Sequence, residues 1–282
     1  MGQKALAAIL IFWAVAAQAQ ITPQSSSLNL DAFPSSREYF YPLMADPTEL
    51  GYSGRYLFQV GGKRFGEVTI GDYVGILRWS LAPGWDMQWN MGGGVEARFD
   101  LNTSLNALDV ADFTLAAPLD IHHDSSTLRI GYWHTSSHLG DDYIGQTGTT
   151  VEKHSDDLIK AIYSYAPIEE IRLYGGGSYA FNVININGRS VLQGGIELVT
   201  PYFGDHRAQW FLAQDLQSFQ RVGWNPNYTA RAGLRLSDVK RIAAVKMFLE
   251  YFTGHYYFLQ LYEQKESRFG FGLSFEMGGP TK

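Results

Sequence analysis

His134 and Ser136 are a pairing whose residue types and spacing suit covalent catalysis. On an extended strand, residues two apart leave the same face with their backbones about 7 Å from one another. An imidazole so placed can take the proton of the hydroxyl, which is what a serine nucleophile requires before it attacks an acyl carbonyl. The base in turn needs an acceptor on its far ring nitrogen to hold the right tautomer. A dozen residues further on stands Gly148, which has no side chain to offer. Glu152, Asp156 and Asp157 lie slightly beyond, and Asp157 shares the alternating parity of Ile159, Ala161 and Tyr163. The expected constellation is therefore His134 and Ser136 with Asp157, or with Glu152 as the third member. Ser137, His138, Gly140, Asp141 and Asp142 follow directly and form a polar loop motif, in which Gly140 is expected to supply an unusual backbone angle.

The elements that must carry these residues alternate between two kinds of face. From Met87 to Leu101, Met87, Trp89, Met91, Val95, Ala97, Phe99 and Leu101 share one parity, while Gln88, Asn90, Glu96, Arg98 and Asp100 share the other. A strand of that length exceeds the five or six residues common in water-soluble domains and suits a tilted membrane strand of roughly 9 to 11 residues plus its rims. The signal recurs at 109–122, 126–138, 155–165, 169–182, 189–199, 207–217, 227–236, 241–253 and 266–277, and less strongly at 54–60 and 68–80. In the 169–182 strand, Arg172, Ser178 and Asn182 fall on the polar face. The alternation predicts an all-β fold, an up-and-down transmembrane antiparallel β-barrel of about twelve strands with lipid outside and charge within.

The inward charges expected on this pattern are Glu96, Glu197 and Glu250, set against Arg98, Arg129, Arg172, Arg231, Arg235, Lys160 and Lys246. They suit interlocking ion pairs that plug the lumen, or alternatively the lining of a narrow channel. Tight turns are expected at 82–84, 123–125, 166–168, Gly204-Asp205 and Ser237-Asp238, and longer loops at 139–154, 218–226 and 254–265. That asymmetry puts the short turns and both termini in the periplasm. The aromatic segment 254–265 is expected either along the membrane interface or over the lumen.

The chain begins with Lys4, an apolar run from Ala5 to Ala16 and a small-x-small site at Ala17-Gln18-Ala19, the pattern of a cleavable export signal over 1–19. Residues 20–52 lack the strand period and read as a periplasmic lead-in or a plug, ahead of a barrel over 53–282. Net charge is −6 and no run of Lys or Arg occurs, which argues against a nucleic-acid partner. Mean hydropathy is −0.15 despite 15% aromatic residues, as expected where half of each strand faces a polar interior. Cysteine is absent, so thiol chemistry, disulfides and Cys-bound metals are excluded. No cofactor is implied. Asp141, Asp142 and Glu152 offer oxygens to Ca²⁺, but no loop of the Asp-x-Asp-x-Asp-Gly type is present. The partners implied are outer-membrane lipid and the barrel-insertion machinery, while oligomeric state is not readable.

Three segments carry a resemblance: Tyr39-Phe-Tyr-Pro-Leu-Met-Ala-Asp-Pro47, Tyr132-Trp-His-Thr-Ser-Ser-His-Leu-Gly-Asp-Asp142 and Arg172-Leu-Tyr-Gly-Gly-Gly177. They resemble the bacterial family known as domain of unknown function 1207, which implies an outer-membrane barrel and no established activity. The His134-x-Ser136 pair is similar to that of the outer-membrane phospholipase A and lipid A 3-O-deacylase families. That likeness implies a lipid-acyl hydrolase working on the outer barrel wall, although those families place an Asn or Glu where Gly148 stands here. Three functions follow as expectations: a structural envelope barrel with a plugged or narrow lumen, a lipid-acyl hydrolase, or a small channel. In the first, His134, Ser136 and His138 are rim residues meeting headgroups and water.

Overall fold

Strict alternation over long stretches forces each strand to present one apolar and one polar face, and only a closed cylinder lets both be satisfied in a membrane. The structure, a computed structural model, describes residues 30–34, 38–204, 207–239 and 242–277. The expected export signal, the polar stretch Thr22–Ser27 and Asp205 lie outside the described residues. Strand β1 is a two-residue piece, Asp31–Ala32, paired with Arg78 and Leu77.

The wall comprises β2 (Tyr52–Gln59), β3 (Arg64–Ala82), β4 (Trp85–Asp100), β5 (Ala107–His123), β6 (Ser126–Leu139) and β7 (His154–Ile168). It continues with β8 (Ile171–Ile184), β9 (Ser190–Val199), β10 (Ala208–Phe219), β11 (Pro226–Val239), β12 (Ile242–His255) and β13 (Lys265–Met277). Each strand pairs antiparallel with the next, and β13 pairs with β2, closing a twelve-stranded barrel.

The connections are short at one end: 83–84, 124–125, 169–170 and 240–241. The exception there is 200–207, where the expected tight turn at Gly204 is part of a wider excursion closed by a Phe203–Ala208 bridge. Ser237 and Asp238, where a turn is expected, are still in strand, because β11 runs on to Val239. At the opposite end the loops include 140–153, which holds helix α1 (Asp141–Thr147), and 256–264.

The faces divide as the alternation requires. Leu115, Leu192 and Leu249 are 63%, 60% and 69% exposed on the outer wall, whereas Arg98, Glu67 and Arg268 are fully buried inside. That inversion, grease outward and charge inward, is stable only against hydrocarbon. Every expected inward charge lies on the inner face. Arg129 pairs with Asp120 at 2.7 Å, Arg172 with Glu197 at 3.1 Å, Arg231 with Glu250 at 2.8 Å and Lys246 with Glu276 at 3.1 Å.

The densest part of this network centres on a residue outside the expected strands. Glu67 receives Arg98, Arg55 and Arg268, the last two at 3.2 Å, and Arg98 and Arg268 also hold Glu266 at 2.6 and 3.0 Å. Arg55 further pairs with Glu96 and reaches Glu250 at 3.7 Å. β3 begins four residues before the expected 68, which is why Glu67 falls outside the sequence pattern.

Ion pairs alone do not fill the lumen. The segment leading into β2 runs inside the barrel, since Phe40 N donates to Asp120 and Met44 N to Glu197, while Arg231 donates to the Met44 carbonyl. Phe40 and Leu43 pack with Ile162 and Tyr174, and Leu50 packs with Tyr73, Ala116 and Trp133. Gly94 makes room for it: an added Cβ there would lie 3.0 Å from a Leu50 methyl and closer still to the β3 backbone. From the opposite end, the aromatic loop turns inward. Tyr256, Tyr257, Phe258 and Leu261 bury themselves against Val110 and Phe252, and Tyr257 donates to Glu67 at 2.5 Å. Of the two expectations for this loop, covering the lumen is the one realised.

Candidate functional site on the outer wall

β6 presents Trp133, Thr135 and Ser137 to the lumen and His134, Ser136 and His138 to the outside. The register pairs His134 with Leu115 on one side and with Asp157 on the other. Ser136 pairs with Phe113 and with Ser155. The cross-strand neighbour Asp157 thus does what sequence distance could not assign with certainty. Its Oδ1 lies 2.8 Å from His134 Nδ1, with the imidazole 35% and the carboxylate 18% exposed.

Asp157 is a hub. Tyr132, two residues before His134 on β6, donates its hydroxyl to Oδ1 at 2.5 Å, and Asn182 on β8 donates its amide to Oδ2 at 2.7 Å. A carboxylate only accepts, so His134 must donate through Nδ1. In the neutral ring that leaves the Nε2 lone pair available to act as a base. No hydrogen bond joins His134 to Ser136 among the described residues, as is common before a substrate draws such groups together.

Asn182 reaches this position by a departure from the pattern. Its even parity placed it on the polar inner face, with Arg172 and Ser178. The β7–β8 ladder instead slips by one residue, pairing Asp157 with Asn182 but Leu158 with Ala180. The bulge turns Phe181 and Asn182 both outward, while Ala180 stays buried. Bulges re-aim a side chain in this way.

The remaining motif residues separate by role. Ser137 points inward, donates to Asp112 and accepts from the Gln260 backbone at 3.2 Å, while Gln260 Nε2 donates to the Ser137 carbonyl at 3.3 Å. The inward aromatic loop therefore grips β6 at the residue beside Ser136. His138 is exposed and lies edge-on to Phe113, with ring centroids 5.7 Å apart. Gly140 does not adopt an unusual angle, since its φ is −71° at the start of α1. Its missing side chain serves close approach instead, because an added Cβ would overlap the Leu108 carbonyl. Asp141 and Asp142 occupy the first turn of α1. Glu152 offers its backbone carbonyl to Gln260 and makes no hydrogen bond to His134. Asp156 is buried on the interior side, and of the carboxylates expected near His134 it is Asp157 that lies within hydrogen-bond reach of its ring. No cluster of three metal-binding side chains occurs among the described residues.

The geometry can be set beside known proteins. No curated protein matches the chain. Among solved structures, outer membrane phospholipase A from Escherichia coli is similar at a TM-score of 0.55 and 13% identity, over 86% of this chain and 95% of that one. A calcium-bound dimer of the Salmonella typhi outer membrane phospholipase is similar at 0.55 and 12% identity, with the same coverage. The KdgM porin follows at a TM-score of 0.45 and 9% identity, over 81% of this chain and 99% of that one. The two phospholipase likenesses show a shared outer-membrane-type barrel fold. The family described as "Protein of unknown function (DUF1207)" matches residues 14–277, the whole wall together with its inward segment, and the chain belongs to that family.

Proposed function

We propose that this protein is an outer-membrane lipid-acyl hydrolase whose nucleophile is Ser136, whose base is His134 and whose orienting carboxylate is Asp157. The observation that carries this reading is the 2.8 Å contact between His134 Nδ1 and Asp157, which brings the expected third member within hydrogen-bond reach of the imidazole. A lumen occupied from both ends favours chemistry on the outer wall over conduction. The long-loop end faces the exterior and the short-turn end the periplasm, into which the chain is delivered by its cleaved leader.

Ten residues separate Ser126, at the short-turn end, from Ser136. At about 3.4 Å per residue and a tilt of about 40°, Ser136 stands about 26 Å above that end, at the outer-leaflet boundary where acyl esters lie. Phe113 and Leu115 on one side, and Ile159, Tyr179 and Phe181 on the other, are exposed apolar surface for acyl chains. Ser136 Oγ attacks the ester carbonyl carbon as His134 Nε2 takes its proton. Collapse of the tetrahedral intermediate breaks the bond to the alkoxy oxygen, which leaves with that proton as the deacylated lipid alcohol. Water, deprotonated by the same imidazole, then cleaves the acyl-serine to a free fatty acid.

The test is release of fatty acid from mixed micelles of detergent with phospholipid or with lipid A. Wild type should release it, and Ser136→Ala should lower the rate at least a hundredfold while remaining a heat-modifiable barrel on gels. Equal rates in the two proteins, or none in either, would overturn the proposal.

A further inference from the structure

A catalytic imidazole on a lipid-facing wall has a particular difficulty. Its carboxylate partner sits on a neighbouring strand with little packing to fix its rotamer, and a carboxylate beside hydrocarbon is costly unless its lone pairs are engaged. Asp157 is 18% exposed at its side chain and lies on the outer face, so neither lumen charges nor bulk burial hold it. What holds it is the set of three donors already described. Tyr132 and His134 converge on one carboxylate oxygen, and Asn182 engages the other. The three donors come from β6 and β8 and bracket β7 from both sides. Tyr132 is itself braced by Phe181, whose ring lies 6.2 Å away and is turned outward by the same bulge as Asn182.

Resting on the hydrolase reading, we infer that Tyr132 and Asn182 are positioning residues that lock Asp157 and, through it, the tautomer and orientation of the His134 ring. With both oxygens of Asp157 committed, the carboxylate cannot rotate away from His134, and Nδ1 remains the protonated nitrogen. Removing Asn182 frees Oδ2, and removing Tyr132 leaves Oδ1 held by His134 alone, so in either case the carboxylate can turn. The imidazole then samples the wrong tautomer, in which Nε2 carries the proton and cannot accept one from Ser136. The bulge exists to bring Asn182 outward, since regular pairing would turn its amide into the lumen. Neither residue touches the reacting atoms, so both act on the rate of chemistry and leave substrate affinity alone.

The experiment compares wild type with Tyr132→Phe, Asn182→Leu, the double variant and the conservative Asn182→Gln, all as the full chain in detergent micelles. Each single removal should lower kcat roughly tenfold with KM unchanged, since a hydrogen bond to a charged group is worth about that factor. The double variant should lose more than either single one, and Asn182→Gln should recover part of the rate. A second readout does not depend on turnover: nitrogen-15 spectra of the His134 ring should report the Nδ1-protonated tautomer in wild type and a mixture in the double variant. An unchanged tautomer in the double variant overturns the inference even where hydrolysis is observed. Absence of hydrolysis in wild type sinks the hydrolase reading but leaves the tautomer result to judge the positioning claim. Heat-modifiability on gels separates a misfolded variant from a mispositioned one, and Asn182→Gln supplies the test should Asn182→Leu fail to fold.

Discussion

Asp46, carried into the barrel by the segment ahead of β2, lies 3.6 Å from Nζ of Lys160 on β7. The same carboxylate accepts from Gln193 at 2.9 Å, Gln217 at 3.0 Å and the Thr48 hydroxyl at 2.8 Å. It is the clasp by which a stretch without regular secondary structure is held inside a wall of strands. Asp46→Ala should therefore cost about 3 kcal/mol, the range for removing one partner of a buried pair. Because the chain has no cysteine, the single substitution Ala45→Cys supplies a thiol that reports the outcome. Labelling of that thiol by a water-soluble maleimide should be negligible in the parent and rapid with Asp46→Ala.

The clasp has a pH dependence of definite sign. Burial alone would raise the Asp46 carboxyl, but the Lys160 ammonium and the donors from Gln193 and Thr48 outweigh it and hold the carboxyl below its usual range. A depressed carboxyl stabilises the folded state above the ordinary carboxylate pKa of about 4, and that contribution is lost as pH falls through the folded value. Labelling of the Ala45→Cys protein should stay slow from neutral pH down to about 5 and accelerate only in stronger acid. Acceleration between about pH 8 and 6, beyond the thiol's own ionisation, would contradict this assignment.

Glu67 is met by three guanidinium groups and by the Tyr257 hydroxyl. Glu67→Leu leaves those cations facing one another with fewer carboxylates, and should lower the stability of the folded barrel by more than about 3 kcal/mol in urea unfolding from micelles. A lipid-face change offers the contrast. Met91→Arg places a charge on the outer wall half-way along β4 and should cost about 2–4 kcal/mol, most when the site is at the bilayer midplane. A negligible cost there would mean that this wall does not face hydrocarbon.

The inward loop both seals the barrel and grips β6. Replacing residues 257–263 by a short Gly-Ser linker, in a chain that also carries Asp46→Ala to loosen the segment at the other end, should open clear conductance steps in planar bilayers where neither change alone does. Gln260→Gly is the gentler change, removing the side-chain bond to the Ser137 carbonyl beside the nucleophile. It should slow fatty-acid release several-fold without opening a pore, a separation of effects that follows if the loop has both roles.

How much of this was legible in the linear chain follows from the physics of each part. The twelve strands stood out because lipid on one side and ions on the other impose a period of two over strands longer than water-soluble sheets commonly use. Residues 38–51 had no such period, so whether they led in or plugged stayed open until Asp46 and Arg231 were seen to hold them. The aromatic loop was conspicuous, but its direction depends on Tyr257 meeting Glu67, a contact 190 positions away. Asp157 was reachable from parity alone. Asn182 was not, because a one-residue slip in a ladder leaves no mark in composition, and parity counted through a bulge gives the wrong face. Arg55, Glu266 and Arg268 carry the parity of inward residues at the edges of their strands, and that parity was the signal available for them.

The charge network also constrains the order of assembly. Arg55 belongs to β2, while its carboxylate partners stand on β3, β4 and β12, so the set spans the seam where the last strand meets the first. Before the seam closes, Arg55 has Glu67 and Glu96 beside it but lacks Glu250, and Arg98 lacks Glu266. Closure of the seam is thus the step that completes the ion set of the lumen.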